Sequence, residues 1–404
     1  MWELDEKTGE YYLHHFYKHQ PDLNIDHPPV VDELMSAIGF WMQLGLDGFN
    51  VDGVPFFGQL GDVEGHDDIV DTHRFVRQLR DFVSRRNGSA AMVGEVDLPY
   101  EQQLAYFGGE AGDQLHMQFD FVAMQATYLS LARADVRPLV TALTSRPDLP
   151  RQCQWATFLR NHDEATLDQL TEEERQEVFA AFGPEPEMQI YGRGLKRRLP
   201  PMLQGEPRRV RMAYSLLMSL PGTPTLYYGE EIGIGEDLER EGRMAVRTPM
   251  QWTSGHNGGF SRARTSQLIC RPVSGSYGPE HVNVLDQLHD DGSLLSWIRT
   301  LIHIRHSCQE LGWGELTVLE HDAGEAVLAH RVDHGAAGVL TLHNLGPEPV
   351  PVAVPLDDAG EDAHVVDLLT HDPVHFPDGR LEVALEGYGV RWVRIRPGHD
   401  LGLP

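Results

Sequence analysis

Twice in its first hundred residues the chain repeats one pattern: a helical run of apolar residues, a short apolar strand, and a carboxylate where the strand ends. Val31, Leu34, Met35, Ile38, Trp41 and Met42 recur at helical spacing, and Gly45 closes that run. An apolar strand over 46–54 follows and carries Asp52. Phe75, Val76, Leu79, Phe82 and Val83 then repeat the helical signal up to Asn87–Gly88, and the strand AAMVGEVD (90–97) carries Glu95. Strands that are apolar throughout and alternate with helices belong to parallel sheets covered on both faces. In barrels of this kind the reactive groups stand at the C-terminal ends of the strands. LHMQFDF (115–121), QWATFLRNHDE (154–164) and TPTLYYGEE (223–231) are further strand candidates, and the second of these delivers Asp163. The count is therefore five strands of an α/β barrel.

After about residue 315 the texture changes. AVLAHRV, GVLTLHNLG, VPVAVPL, RLEVAL and GVRWVRIRP are short alternating runs divided by Gly, Pro and Asp, which predicts an antiparallel β module. It carries no acidic triad, so a packing or stability role suits it better than catalysis. Composition narrows the partners: a net charge of −28 repels nucleic acid and anionic membranes, and neutral sugars suit that balance better. The three cysteines are widely spaced with no CxxC, which argues against a disulfide framework or a zinc site. The first ten residues, MWELDEKTGE, are too polar for a signal peptide, and no run of 18 apolar residues exists, so a cytoplasmic location is expected. HHFYKH (14–19) invites a metal reading, but it lies in a Tyr-rich loop-like segment without HExxH, and surface or cleft histidines are the better account.

Three acids at strand ends suggest glycoside chemistry. Retaining hydrolysis needs an ionised carboxylate as nucleophile and a carboxylic acid as proton donor, about 5–5.5 Å apart. Asp52, Glu95 and Asp163 are the candidates; on spacing alone, helix N-caps or turn residues explain them as well.

The motifs are more specific than the spacing. GFNVDGVPFF (48–57), MVGEVDLP (92–99), FLRNHDE (158–164) and AVRTPMQW (245–252) together resemble glycoside hydrolase family 13, the α-amylase superfamily, most nearly its trehalose synthase-like and α-glucosidase-like members. HHFYKHQPDLNIDHPPV, LPGTPTLYYGEEIGIGEDL and NGGFSRA extend the resemblance over essentially the whole chain. It implies a retaining enzyme acting on α-glucosides such as maltose, trehalose or α-glucans, with Asp52 as nucleophile, Glu95 as general acid/base and Asp163 as the third acid, holding sugar hydroxyls. His162 is implied as a transition-state hydrogen-bond donor. Asn50, Phe56 and Tyr106 join it as substrate-binding candidates, with the two aromatic residues (and Phe57) serving as sugar platforms or as core and rim. Asp22 is expected to shape its loop, and Arg247 to fix a loop. The implied organisation is the tail of an insertion domain over 1–30, a partial (β/α)8 TIM-type barrel of about five C-terminal strands over 31–315, and a β-sandwich-like domain over 316–404.

Two departures stand out. The family has an arginine two residues before the nucleophile, and this chain has Asn50 there. A guanidinium beside Asp52 would keep that carboxylate ionised and aimed; a neutral amide donates a hydrogen bond without the charge, so a weakened nucleophile is expected, with Asn50→Arg strengthening it. Secondly, three barrel strands with their Asp/Asn–His sugar clamp have no counterpart upstream of residue 46. A misassigned start, a separate polypeptide and a decayed paralogue all account for this, and a remnant with open strand edges would be oligomeric or depend on the upstream part. A catalytically impaired, sugar-binding remnant is the alternative to an enzyme. No cofactor or metal is expected; calcium in this family is held largely by the insertion domain.

Overall fold

The computed structural model describes residues 2–57, 72–356, 363–372, 374, 376 and 379–396. The chain divides into two compact units: residues 1–119 with 147–156, and 120–146 with 157–404.

The first unit opens with an antiparallel hairpin, β1 (Trp2–Asp5) on β2 (Glu10–Leu13), and continues through α1 (Pro28–Gln43), β3 (Gly48–Val51), α2 (Thr72–Arg86), β4 (Ala91–Gly94), α3 (Tyr100–Phe107) and β5 (Met117–Phe119). The next strand, β6 (Gln154–Phe158), contributes its first three residues here. The four strands β3 to β6 pair in sequence order, all parallel, with Asn50 opposite Val93, Val93 opposite Met117 and Met117 opposite Gln154. The strands are shorter than their apolar runs because pairing stops where the chain turns away. Gly48 is required by the close approach to β4: a Cβ there would lie 2.1 Å from the Ala91 carbonyl oxygen.

Helix α2 buries Val76, Leu79 and Val83 against Val51, Met92 and Leu115 of the sheet core, while its Phe75 packs with Ile25 and the α1 residues Val31, Leu34 and Met35. Burial of side chains this size stabilises by about 1.5–3 kcal/mol each. Helix α1 adds a half-buried stripe of Val31, Leu34, Met35, Ile38 and Met42. Trp41, at the margin of that stripe, stays 49% exposed against Phe40.

In the second unit, Asp120 caps α4 (Phe121–Arg133), its carboxylate accepting from the Ala123 amide at 2.9 Å, and α5 (Arg137–Thr144) packs beside it. A buried helix, Pro207–Ser219, precedes the short strand Thr223–Thr225. The alternating runs of the C-terminal third are strands: Glu315–Val318, Val327–His334, Ala337–Asn344, Val390–Arg396 and His364–Asp367 pair in that spatial order, all antiparallel, and Val350–Pro355 pairs with Arg380–Leu385. Leu340, Leu342, Val352, Leu381, Val393 and Ile395 close the core between them.

The module is locked to helix Pro207–Ser219 by polar groups rather than by apolar contact alone. The fully buried Trp392 indole donates to Ser215 Oγ at 2.8 Å, and Ser215 Oγ meets His343 Nε2 at 3.0 Å. His330 lies parallel to His343, ring centroids 6.0 Å apart, and reaches the Ser219 carbonyl at 3.3 Å. Burial, with Arg146 nearby, depresses His330 from 6.5 to about 4, and burial beside the His330 ring holds His343 well below its ordinary value. Both rings are therefore neutral in the fold, and the unfolded chain binds more protons between the depressed values and 6.5. Stability is complete above about pH 6.5 and falls as the pH drops toward 4, by about 3 kcal/mol from His330 alone. Melting temperatures recorded from pH 7.5 to 4.5 should fall accordingly; a level profile would refute this.

Candidate active site

Parallel pairing of β3 with β4 places Val51 opposite Gly94, so Asp52 and Glu95 are the next residues along two neighbouring strands. Paired strands lie about 4.8 Å apart. A retaining pair needs its carboxyl groups about 5–5.5 Å apart, a separation that two side chains on neighbouring strand ends can span. The Glu95 amide donates to the Val51 carbonyl at 3.1 Å, tying the two strand ends together. Beyond Asp52 the chain turns sharply: Gly53 has φ +58° and opens the 3-10 turn Val54–Phe56, and a Cβ on it would press the Phe16 ring at 3.3 Å. Asp52 is left exposed at the mouth of the turn, whereas Glu95 is half-buried.

Asn50 has an unexpected partner. Its amide Nδ2 donates to Glu95 Oε1 at 3.1 Å. A guanidinium at position 50 would therefore have Glu95 within reach, and a cation there holds a carboxyl ionised, the wrong state for a proton donor. No local sequence signal discloses this contact: it follows from the strand register, which sets Asn50 diagonal to Glu95.

Asn50, Asp52 and Phe56 line a cavity of about 580 Å³, together with Phe16, Asp22 and apolar side chains from β3, β4 and the two long helices. Phe56 is exposed and meets Phe16 edge-on at 5.3 Å and His15 at 5.4 Å, while His15 Nδ1 pairs with the Asp22 carboxylate. Phe57 packs on Phe75, and Tyr106, half-buried against the sheet core, lies against His73 with 4.6 Å between ring centroids. Burial raises the Tyr106 phenol.

In the second unit, His162 and Asp163 sit in the loop after β6. The Asp163 side chain is 16% exposed, and both of its oxygens are taken: Oδ2 by Arg243 Nη1 at 2.9 Å and Oδ1 by Arg247 Nη2. Arg247 Nε also donates to the His162 carbonyl at 2.8 Å, so this motif arginine fixes its own loop to the acid-bearing one. The His162 imidazole is 48% exposed, 3.7 Å from Asp163 Oδ1 and 6.5 Å from the Tyr227 ring. Sequence reasoning missed Arg243, which also grips Glu164 through Nε at 2.6 Å. It missed Arg198 as well. That side chain is completely buried, donates to the carbonyls of Val246 (2.8 Å) and Tyr228 (2.9 Å), pairs with Glu230 at 2.9 Å, and stacks 4.2 Å from the Tyr227 ring. Burial drives the Tyr227 phenol up, so it remains a neutral donor.

The chain belongs to the alpha amylase catalytic-domain family, glycoside hydrolase family 13, a class of α-glucoside hydrolases and transglycosylases: that family matches residues 1–182 and 197–314. A sucrose hydrolase-like C-terminal domain matches 337–394. Over all of its length the chain is 36% identical to a trehalose synthase of Pimelobacter sp. (strain R48), covering 72% of that protein. It is 35% identical to the trehalose synthase/amylase of Mycolicibacterium smegmatis, over 98% of this chain and 68% of the relative. With a trehalose synthase of Thermus thermophilus the identity is 37% over 98% of the chain, which spans 41% of that longer protein. Among solved structures, an alpha-amylase from H. orenii superposes with a TM-score of 0.72 at 21% identity, over 98% of this chain and 70% of the other, a likeness of fold. Among the described residues no helix is long and apolar enough to cross a membrane, and none of the three cysteines is in a disulfide.

Proposed function

We propose that the protein is a retaining, trehalose synthase-like α-glucosidase or transglycosylase acting on a disaccharide such as maltose or trehalose. The observation that carries this reading is the pair Asp52 and Glu95 at the ends of two hydrogen-bonded parallel strands, with the Asn50 amide on Glu95. In the first step an Asp52 oxygen attacks the anomeric carbon, the glycosidic C–O bond breaks, and the Glu95 proton passes to the departing oxygen. The product is a β-glucosyl ester on Asp52. In the second step Glu95, now a carboxylate, takes a proton from an acceptor hydroxyl that attacks the same carbon and frees Asp52. Water as acceptor gives hydrolysis, and a different hydroxyl of the retained sugar gives isomerisation. From the family resemblance, Asp163, held by the Arg243 and Arg247 guanidiniums, and His162 are proposed to hold sugar hydroxyls. Strands β3 to β6 and Thr223–Thr225 are read as part of a (β/α)8 barrel, and a cytoplasmic location fits the unpaired cysteines. The test is stereochemical: the purified chain is given maltose or trehalose, and the first glucose formed is followed by proton NMR. Two successive displacements release α-glucose. A β-anomer formed first would overturn the mechanism.

A further inference from the structure

Residues 14–22, HHFYKHQPD, run from the hairpin β1–β2 toward α1 and close on themselves. The Asp22 amide donates to the Leu13 carbonyl at 2.9 Å, and the Gln20 amide to the Tyr17 carbonyl at 2.8 Å. The Asp22 carboxylate pairs with His15 Nδ1 and accepts from the His15 amide at 3.4 Å. Tyr12, on β2, donates its hydroxyl to the Lys18 carbonyl at 2.8 Å. A loop tied at its ends and in its middle presents its side chains in fixed places, and compact loops of this size often serve function.

Two of those side chains bear on the turn that follows Asp52. The His15 ring lies 5.4 Å from Phe56, and the Phe16 ring meets Phe56 edge-on at 5.3 Å. Two carbons of the Phe16 ring also approach Gly53 so nearly that a Cβ there would lie 3.3 Å from each. Gly53 directly follows Asp52, and the Phe56 amide closes the turn on the Gly53 carbonyl at 2.9 Å. Phe16 therefore touches both ends of the turn. Burial in the core does not account for this ring, which is 43% exposed. Its edge-on contact fixes orientation as well as adding attraction. Orientation matters at this point, because displacing a reacting group by 1 Å costs about 10²-fold in rate.

We propose that Phe16 is a positioning residue for Asp52. It holds turn 53–56, and through it the carboxylate at the end of β3, while the Asp22–His15 pair fixes the loop that carries the ring. The inference rests on the α-glucoside reading of the site. It is tested on the intact chain with two readouts. Fluoride leaves α-glucosyl fluoride without a proton, so kcat/KM on that substrate reports the attack by Asp52. Hydrogen exchange at the Phe56 and Phe57 amides reports the turn. Phe16→Ala should speed that exchange about three- to tenfold, the worth of an edge-on aromatic pair, and leave the amides of α2 unchanged. It should lower kcat/KM on the fluoride by about tenfold, with a melting temperature close to the parent's. Phe16→Leu, which keeps an apolar side chain over Gly53, should recover most of both. Unchanged exchange in the Ala variant overturns the hold on the turn. Faster exchange with unchanged kcat/KM overturns the positioning of Asp52, as does a Leu variant no better than Ala. A parent that releases no fluoride defeats the enzymatic reading and with it the role toward Asp52, and the exchange rates then decide the hold on the turn alone.

Discussion

Replacing Glu95 by Gln should lower turnover of an unactivated disaccharide by a factor of about 10²–10⁴, the usual contribution of a positioned proton donor. Gln is nearly isosteric, and its carbonyl oxygen can still accept from Asn50 Nδ2, so the strand ends should keep their arrangement. The proton is what disappears. A leaving group that departs without protonation, such as fluoride from α-glucosyl fluoride, isolates that loss, because its release by the Gln variant should stay much closer to the parent's. The paired measurement is kcat/KM on maltose and on the fluoride for both proteins. Equal rates on maltose would sink the assignment of Glu95. A loss of the same size on both substrates would show that the change had disturbed the site and not the proton transfer.

The largest stability effect is expected at Arg198. Its guanidinium is wholly buried, and Glu230, its partner at 2.9 Å, is 1% exposed. Changing Arg198 to Met removes one member and strands a carboxylate in the interior, which costs about 3–5 kcal/mol when a buried pair is broken. The same change releases the Val246 carbonyl, directly before the arginine that grips Asp163. Urea midpoints read the effect. The double variant Arg198→Met/Glu230→Gln, in which no charge is stranded, should recover part of the loss. A single variant as stable as the parent would mean that solvent reaches Glu230.

Those two residues mark the limits of what the sequence discloses. Asp52 and Glu95 are legible because a charged residue ending a run of Val, Phe and Met has few places to go except a strand tip. The C-terminal module is legible because alternation with period two is a local signal. Arg198 is not, since it lies in GLKRRLP, which reads as a solvated basic run; its partner is 32 positions away, in a segment that looks like a surface turn. The contact between Asn50 and Glu95 spans 45 positions and follows from the register of β3 on β4. Likewise the grip of Arg243 on Asp163 joins two loops whose sequences show no mutual period. Local pattern reports which residues are buried, whereas the pairing of polar groups is decided by topology.

Ser215 has a further consequence. It sits one residue after Tyr214, whose hydroxyl donates to Glu230, and its own hydroxyl receives the Trp392 indole and meets His343. One turn of helix thus serves the interior beneath the Asp163 loop on one side and the C-terminal strands on the other. Exchanging the C-terminal module for that of a relative would cut through this junction unless Ser215, His343 and Trp392 travelled together. For anyone building chimaeras, a seam placed away from this helix leaves the junction whole, and residues 177 positions apart have to be exchanged together.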